Sequence, residues 1–369
     1  MKKISFIIPS FDVGGTESSF IRMANSLSEE QFSAELVYWF NGGDLRKLID
    51  PRVITTRLKV SNLFSLLIQL IKHYNKSKPD VVHTSMYMIG NISLIARIFS
   101  SHKPKIIIGA RSDFTSICKT SKNLFDELLL RKLSAVLFKK SDLIVAVSKG
   151  VRADLIAALN LNPSKVIVIY NGILTEAHRS GNSLLPNHHW YHMENICIIT
   201  SIGRLSPEKG IYELVCTFKK AVKVNKNLRL IIIGDGKEKQ KINQYINDHC
   251  LKDYIEIMGF RDDYYSYLNH SDIYVLNSYF EGMPSILVEA VSTNTKIIST
   301  DCKHGPNELL KGVEESHLIE VNNENQLLKA INKFSSSKKI QRTRVEHLEE
   351  FYIEQSTKKY IEIFDNLID

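Results

Sequence analysis

Cysteine is scarce in this chain of 369 residues, and what there is lies scattered. There are five (Cys118, Cys197, Cys216, Cys250, Cys302), an odd number with no CxxC pair. That excludes a disulfide framework and a zinc ribbon, and it fits buried thiols in a reducing cytoplasm. Long hydrophobic runs are absent as well. No apolar stretch approaches the roughly 20 residues that a membrane span needs. An export signal is not expected, because Lys2 and Lys3 lead at once into Ile4-Ser5-Phe6-Ile7-Ile8. That run is too short for the apolar core of a signal peptide and reads as a first β-strand.

Acidic residues are in short supply in the first half only. Residues 1–180 carry 25 Lys and Arg against 14 Asp and Glu, and the remainder carries 23 against 26. The first half is therefore strongly basic, which points to an anionic partner. No nucleic-acid motif accompanies the charge, so an anionic membrane surface is favoured over nucleic acid. The overall balance, 44% hydrophobic and 24% charged, is that of an ordinary globular protein. Its length suits two domains better than one core.

Short β-branched runs alternate with helix-length segments. In the first half, strands are predicted at Ile4–Pro9, Ala34–Trp39, Val81–His83, Lys105–Ile108, Leu143–Val147 and Val166–Ile169. In the second they are predicted at Ile196–Ile202, Leu228–Ile233, Ile255–Met258, Ile273–Leu276 and Lys296–Ser299. Helical patterns lie between them, as at Glu17–Ser28 and Leu63–Tyr74. Continuous apolar strands alternating with helices imply parallel sheets covered on both faces, an α/β architecture. The stretch Glu176–Asn195 is polar and aperiodic, with Gly181 and Pro186, and reads as a connection. It also carries His178, His188, His189 and His192, whose spacing matches no recognised metal-ligand set. The expected division is 1–175, a linker 176–195, a second domain 196–340, and a C-terminal helix within 341–369 lying back on the first domain.

Leu63–Lys78 and Asn123–Lys140 combine apolar and basic residues at helical spacing. Such helices fit an anionic interface, and they equally fit plain packing on a sheet.

Ligands of open α/β sheets bind at the carboxyl ends of strands, and several informative segments follow strands directly. After the first strand of the second half comes Gly203-Arg204-Leu205-Ser206-Pro207-Glu208-Lys209-Gly210, with two cations five positions apart. Both could reach one diphosphate and neutralise the charge that a departing nucleotide develops. After Ile273–Leu276 comes Asn277-Ser278-Tyr279-Phe280-Glu281-Gly282-Met283-Pro284, then Ser285 to Glu289. Pro284 suits a first helical turn, so Glu281 falls in the loop and Glu289 inside the helix. A loop carboxylate beside free amides suits sugar hydroxyls, and a carboxylate deeper in suits a ribose diol. Gly14-Gly15-Thr16-Glu17 follows the first strand as a tight turn, with Thr16 as the expected N-cap. His83 is expected at the carboxyl end of its strand. Singly, each of these residues also fits an ordinary structural role.

Taken in order, the set resembles glycosyltransferase family 4, the glycosyl transferases group 1 of GT-B fold. The resemblance runs through Gly14–Glu17, the Pro79–His83 strand, Val147-Ser148, Tyr170-Asn171-Gly172, Gly203–Gly210, Gly234-Asp235-Gly236, Gly259-Phe260 and the pair Glu281 and Glu289, separated by seven residues. It implies two Rossmann-like, doubly wound parallel-sheet domains facing across a cleft. It implies a nucleotide-sugar donor, most readily a UDP-sugar, on the C-terminal domain, and an acceptor on the N-terminal one. Arg204 and Lys209 would hold the diphosphate, with Gly203 beside them. Glu281, with the amides of Gly282 and Met283 and with Pro284 following, would read the sugar. Glu289 would hold the ribose, and the Gly259-Phe260-Arg261 loop would lie near the base. Gly15 and Thr16 would line the reaction centre, and His83 would contact the donor sugar.

The resemblance further implies retention of anomeric configuration and no metal cofactor, in keeping with the lack of a DxD motif. The Thr300–Glu308 segment is similar to bacterial enzymes that extend lipid-linked O-antigen or capsule units. The expected acceptor is accordingly a polyprenyl-diphosphate-linked saccharide, and the expected location is cytoplasmic and peripheral at the inner face of the plasma membrane. Two departures from the family pattern stand out: Gly172 where Pro is common after Asn171, and Thr84-Ser85-Met86 where a second histidine often follows His83. The competing expectations are a UDP-N-acetylglucosamine 2-epimerase-like enzyme and a non-catalytic nucleotide-sugar-binding subunit of a polysaccharide assembly complex.

Overall fold

The structure, a computed structural model, describes residues 1–12, 14–119, 124–181, 183–337 and 345–368. The chain divides into two compact units, Met1–Ile173 with Glu349–Asp369, and Leu174–Leu348.

The first unit holds β1 (Lys2–Ile7), β2 (Phe32–Tyr38), β3 (Ile54–Arg57), β4 (Val81–Thr84), β5 (Lys105–Ala110), β6 (Leu143–Ala146) and β7 (Val166–Val168). They form one parallel sheet in the order β3-β2-β1-β4-β5-β6-β7. The second holds β8 (Cys197–Ile202), β9 (Leu228–Ile233), β10 (Ile255–Gly259), β11 (Ile273–Leu276), β12 (Lys296–Thr300) and β13 (Ser316–Ile319). Its order is β10-β9-β8-β11-β12-β13, again parallel throughout. Each sheet thus starts at its centre, winds outward one way, then returns and winds the other way. That is the doubly wound arrangement, with its switch point beside the first strand.

Strands occur in all eleven predicted places, and two more occur that the pattern did not reveal. The additions, β3 and β13, are four-residue strands at sheet edges. Half-exposed edge strands need no apolar run, so Ile54-Thr55-Thr56-Arg57 carries no hydrophobic signal.

The helix Gly15–Ser26 buries Phe20, Ile21 and Met23 against Ile4, Phe6 and Ile8 of the first sheet. The C-terminal helix Ile353–Ile368 completes this core with Tyr360 and Phe364; the rings of Phe364 and Phe6 lie 6.3 Å apart, edge to face. The sequence pattern suggests a helix from 341. A 3-10 segment, Glu346–Phe351, precedes the helix, and residues 341–344 lie outside the described residues. In the second unit, Ile199, Leu230, Ile232 and Val275 of the strands pack on Leu214, Phe218 and Ile331 of the covering helices.

The polar stretch 176–195 is not a free connection. It belongs with the second unit, where Trp190 is buried, His188 reaches Glu256 at 3.0 Å, and the Tyr191 hydroxyl donates to the Tyr267 carbonyl at 3.1 Å. Aromatic residues without periodicity supply this anchorage, which is why no pattern announced it.

Helix Leu63–Ser77 buries Leu66, Leu70 and Tyr74 on its sheet but leaves Leu63 and Phe64 exposed. Leu128, Leu129 and Val136 of helix Leu124–Leu137 are exposed too. Asn123 lies outside the described residues. Among those described, no helix is long and apolar enough to cross a membrane.

Candidate active site

The switch point of the second sheet lies between β8 and β11, and two loops leave the carboxyl ends of those strands. One is Gly203–Gly210 and the other Asn277–Pro284. They are tied together: the Asn277 amide donates to the Gly210 carbonyl at 2.8 Å, and the Tyr279 N–H donates to the Glu208 carbonyl at 2.8 Å. Gly210 sits at φ 59°, and a Cβ there would come within 2.3 Å of the Asn277 carbonyl oxygen. Only glycine accommodates both the left-handed backbone and the close approach.

This tie brings the predicted cation and carboxylate into contact. Lys209 Nζ donates to Glu281 Oε1 at 2.6 Å, and the Ser278 hydroxyl donates to the same oxygen at 2.7 Å. The Glu281 side chain is 10% exposed and that of Lys209 28%. The pair is mostly shielded from water, the carboxylate more than the ammonium. Its value is chemical, since the ammonium can turn to an arriving phosphate and leave the carboxylate to accept hydroxyls. Arg204 is exposed, and its carbonyl accepts from the Ser206 N–H at 2.9 Å. Burial works to raise the pKa of the neighbouring Glu208. The Ser206 hydroxyl, the Glu208 amide, and the charges of Arg204 and Lys209 outweigh it and hold the carboxyl below its usual range.

Gly282, Met283 and Pro284 are buried behind Glu281. Pro284 precedes the helix Ser285–Val291 instead of sitting in its first turn. Glu289 lies inside that helix, its side chain 4% exposed. The Tyr264 hydroxyl donates to Glu289 Oε1 at 2.9 Å, and His178 Nε2 lies 3.8 Å from the same oxygen. Gly259 ends β10, and its carbonyl accepts from the Gly234 N–H at 2.8 Å. The following Phe260 is exposed. Arg261 is engaged, gripping Asp263 through two bonds of 2.7 and 2.8 Å and lying over the Tyr267 ring.

In the first unit, two expectations change. Gly14, in extended backbone, is the N-cap of helix Gly15–Ser26, and Thr16 lies within the first turn. Gly15 is exposed, Thr16 half-buried, and no side chain caps the helix start. His83 does not end its strand, because β4 runs on to Thr84, and the ring turns inward. It is wholly buried, 4.7 Å from the Phe20 ring and 3.4 Å from the Tyr360 hydroxyl. Burial, aided by the Arg111 guanidinium, pushes its pKa well down, so it is neutral. A ring sealed this way has no face for a sugar.

Several site residues carried no assigned role in the sequence. Asn277 was legible only as part of its segment, although its amide closes the two loops. Tyr264 and His178 come to Glu289 from distant stretches, and no local pattern joins them. Arg111 follows β5 and donates to Asn171, a residue of the Tyr170-Asn171-Gly172 segment.

Comparison with known proteins bears on the family and the fold. Residues 13–177 match the family described as Glycosyltransferase Family 4, and residues 190–350 match Glycosyl transferases group 1. The N-acetylgalactosamine-N,N'-diacetylbacillosaminyl-diphospho-undecaprenol 4-alpha-N-acetylgalactosaminyltransferase of Campylobacter jejuni is 27% identical over 281 residues, covering 73% of each chain. The UDP-Gal:alpha-D-GlcNAc-diphosphoundecaprenol alpha-1,3-galactosyltransferase of Escherichia coli is 26% identical over 324 residues, 85% of this chain and 82% of that one. The structure of Anabaena HepE in complex with UDP and glucose shares the fold with a TM-score of 0.77 at 17% identity, over 99% of this chain and 100% of that one. Two doubly wound sheets and two family matches in the same order along the chain lead to one statement: this chain is a glycosyltransferase of the GT-B fold, belonging to glycosyl transferases group 1 and family 4.

Proposed function

We propose that this glycosyltransferase moves a hexose or N-acetylhexosamine from a UDP-sugar to a polyprenyl-diphosphate-linked saccharide in surface polysaccharide biosynthesis, with retention at the anomeric carbon. The observation that carries the reading is the 2.6 Å contact between Lys209 and Glu281 at the switch point of the second sheet. One loop offers a cation for the donor diphosphate, and the other offers a carboxylate for the donor sugar. Arg204 supplies the second cation, so charge on the leaving nucleotide is met without a metal ion. Glu281 and the Gly282 and Met283 amides hold the sugar, Glu289 the ribose, and Phe260 the base. The acceptor oxygen bonds to the anomeric carbon as the bond to the β-phosphate oxygen breaks. The acceptor proton passes to that departing oxygen, on the same face.

The first unit, with Gly15 and Thr16 at the head of its first helix, receives the acceptor. Its basic charge supports an anionic membrane surface as the place of work, and so do exposed Leu63, Phe64, Leu128 and Leu129. The names of the Campylobacter and Escherichia relatives support the lipid-linked acceptor.

The test is a screen of UDP- and GDP-sugars against a synthetic lipid diphosphate saccharide, with the product linkage read by NMR. An α-linked product from an α-linked UDP-sugar is the expected result. An inverted linkage overturns retention. Epimerisation of a UDP-sugar without acceptor, and no transfer, overturns the whole reading in favour of an epimerase.

A further inference from the structure

Glu281 accepts two hydrogen bonds on one oxygen, Oε1, and the two donors stand in different places. Lys209 Nζ, at 2.6 Å, belongs to the other loop and is the cation assigned to the donor diphosphate. The Ser278 hydroxyl, at 2.7 Å, comes from the loop of Glu281 itself, three residues earlier. Ser278 is wholly buried, so water does not compete for its hydroxyl.

The backbone that carries Ser278 is fixed by a further strand. The Thr300 hydroxyl, at the end of β12, donates to the Ser278 carbonyl at 2.6 Å. Phe280 forms a parallel bridge with Lys303, just beyond β12. Glu281 is thus tied through Ser278 to β12, independently of the loop that carries Lys209.

That independence matters when a donor arrives. A diphosphate draws the Lys209 ammonium to itself, and Glu281 loses one of its two donors. A carboxylate left with none regains its rotamer freedom and must be ordered again by the ligand. One that keeps a buried hydroxyl on Oε1 stays in place. An ionised carboxylate accepts about four hydrogen bonds, so capacity remains for sugar hydroxyls.

We propose that Ser278 is the positioning residue that holds the Glu281 carboxylate for the donor sugar once Lys209 has turned to the diphosphate. The proposal rests on the assignment of that sugar to Glu281 made above. Its consequence is a division: Ser278 matters for a nucleotide that carries a sugar, and not for the nucleotide alone.

The test compares, by calorimetry, UDP with UDP-glucose, UDP-galactose, UDP-N-acetylglucosamine and UDP-N-acetylgalactosamine. The full chain is measured beside Ser278→Ala, Ser278→Thr and Glu281→Ala, and the UDP-sugar that the parent binds most tightly is the probe. Ser278→Ala weakens it about three- to tenfold, the worth of one hydrogen bond, and leaves UDP within about twofold. Ser278→Thr, which keeps the hydroxyl, recovers most of the loss. Equal weakening of UDP and the UDP-sugar by Ser278→Ala marks a merely structural residue and overturns the proposal, as does unchanged binding of both. A threonine variant that binds UDP like the parent and the UDP-sugar like the alanine variant overturns it too. Glu281→Ala separates the two readings, for it should weaken the UDP-sugar at least as much and spare UDP. If it leaves the UDP-sugar untouched, the assignment of the sugar to Glu281 fails, whatever Ser278 does. A parent chain that binds UDP and none of the four UDP-sugars overturns the donor reading instead.

Discussion

The two units carry the same strand order, yet their switch points are furnished oppositely. Beside β8 in the second unit, the charged groups keep some access to water: Arg204 is exposed, and Lys209 and Glu281 pair in the loops with 28% and 10% of their side chains exposed. Beside β4 in the first unit, the titratable group is His83, wholly buried and held neutral among Phe20, Tyr360 and Arg111. Topology gives both sheets a place where loops part. Side chains decide whether that place is a site or a core. In the second unit they remain available to a ligand, and in the first they are spent on the fold.

The sharpest way to break this contrast is to mutate each side and measure both activity and stability. Lys209→Ala or Glu281→Ala is expected to lower kcat/KM for transfer by about 100- to 1,000-fold, the scale of losing one pre-placed charge or hydrogen-bond group at a developing charge. Removing one partner of this mostly shielded pair should cost about 1–3 kcal/mol of stability, which leaves the chain folded. Near-parent transfer by both variants would remove the site from the second unit. The counterpart in the first unit is Phe364→Ala, which opens a cavity against Phe6 and Phe32. It should cost about 3–5 kcal/mol in chemical denaturation, with kcat per folded molecule unchanged. A stability loss below about 1 kcal/mol would mean that the C-terminal helix is not part of that core.

Gly210 sharpens the comparison within the second unit. Gly210→Ala must bring its methyl within 2.3 Å of the Asn277 carbonyl at φ 59°. About 1–3 kcal/mol of backbone strain follows from the left-handed conformation alone. Relief requires the two loops to move apart. Transfer should therefore fall about tenfold or more, a 1 Å misplacement being enough to cost that much. An unchanged rate with an unchanged UDP affinity would show that the loop tie does not place Lys209.

How much of this was legible in the sequence follows the same divide. Strands buried on both faces announce themselves by continuous apolar runs, so Leu228–Ile233 and Ile273–Leu276 could be read directly, and with them the loops at their ends. Arg204, Lys209, Glu281 and Glu289 were legible because each follows a strand at short range. What escaped was whatever depends on contacts far apart in sequence. His83 sits where a strand was expected to end, and only the tertiary contacts with Tyr360 and Phe20 show that it points inward. His178 was one of four histidines in an aperiodic stretch, and only the fold places its ring beside Thr175 and Glu289. The edge strands β3 and β13 lacked a pattern because edges are not required to be apolar.

The smallest expected effect comes from His83 and is read in the pH dependence of stability. Its pKa in the folded chain lies well below the ordinary 6.5, with burial the main cause and Arg111 the second. Between the folded and unfolded pKa values the unfolded chain binds the extra proton. Stability therefore holds above pH of about 6.5 and falls as the pH drops below it, by up to about 1.4 kcal/mol per pH unit for one proton. His73, also buried with a lowered pKa, adds to the fall with the same sign. Glu35 is held below the ordinary 4.5 despite its burial, chiefly by His73 and the Thr56 and Ser77 hydroxyls, and so loses stability only at lower pH. The window from pH 5 to 6.5 thus isolates the histidines. His83→Gln should cost a little stability at pH 8 and flatten the decline across that window by about one proton's worth. Denaturant titrations at pH 8, 6.5 and 5 measure it. A variant that keeps the full slope would mean that His83 takes up its proton in the folded chain as readily as in the unfolded one. The first unit's switch point would then be as open as the second's.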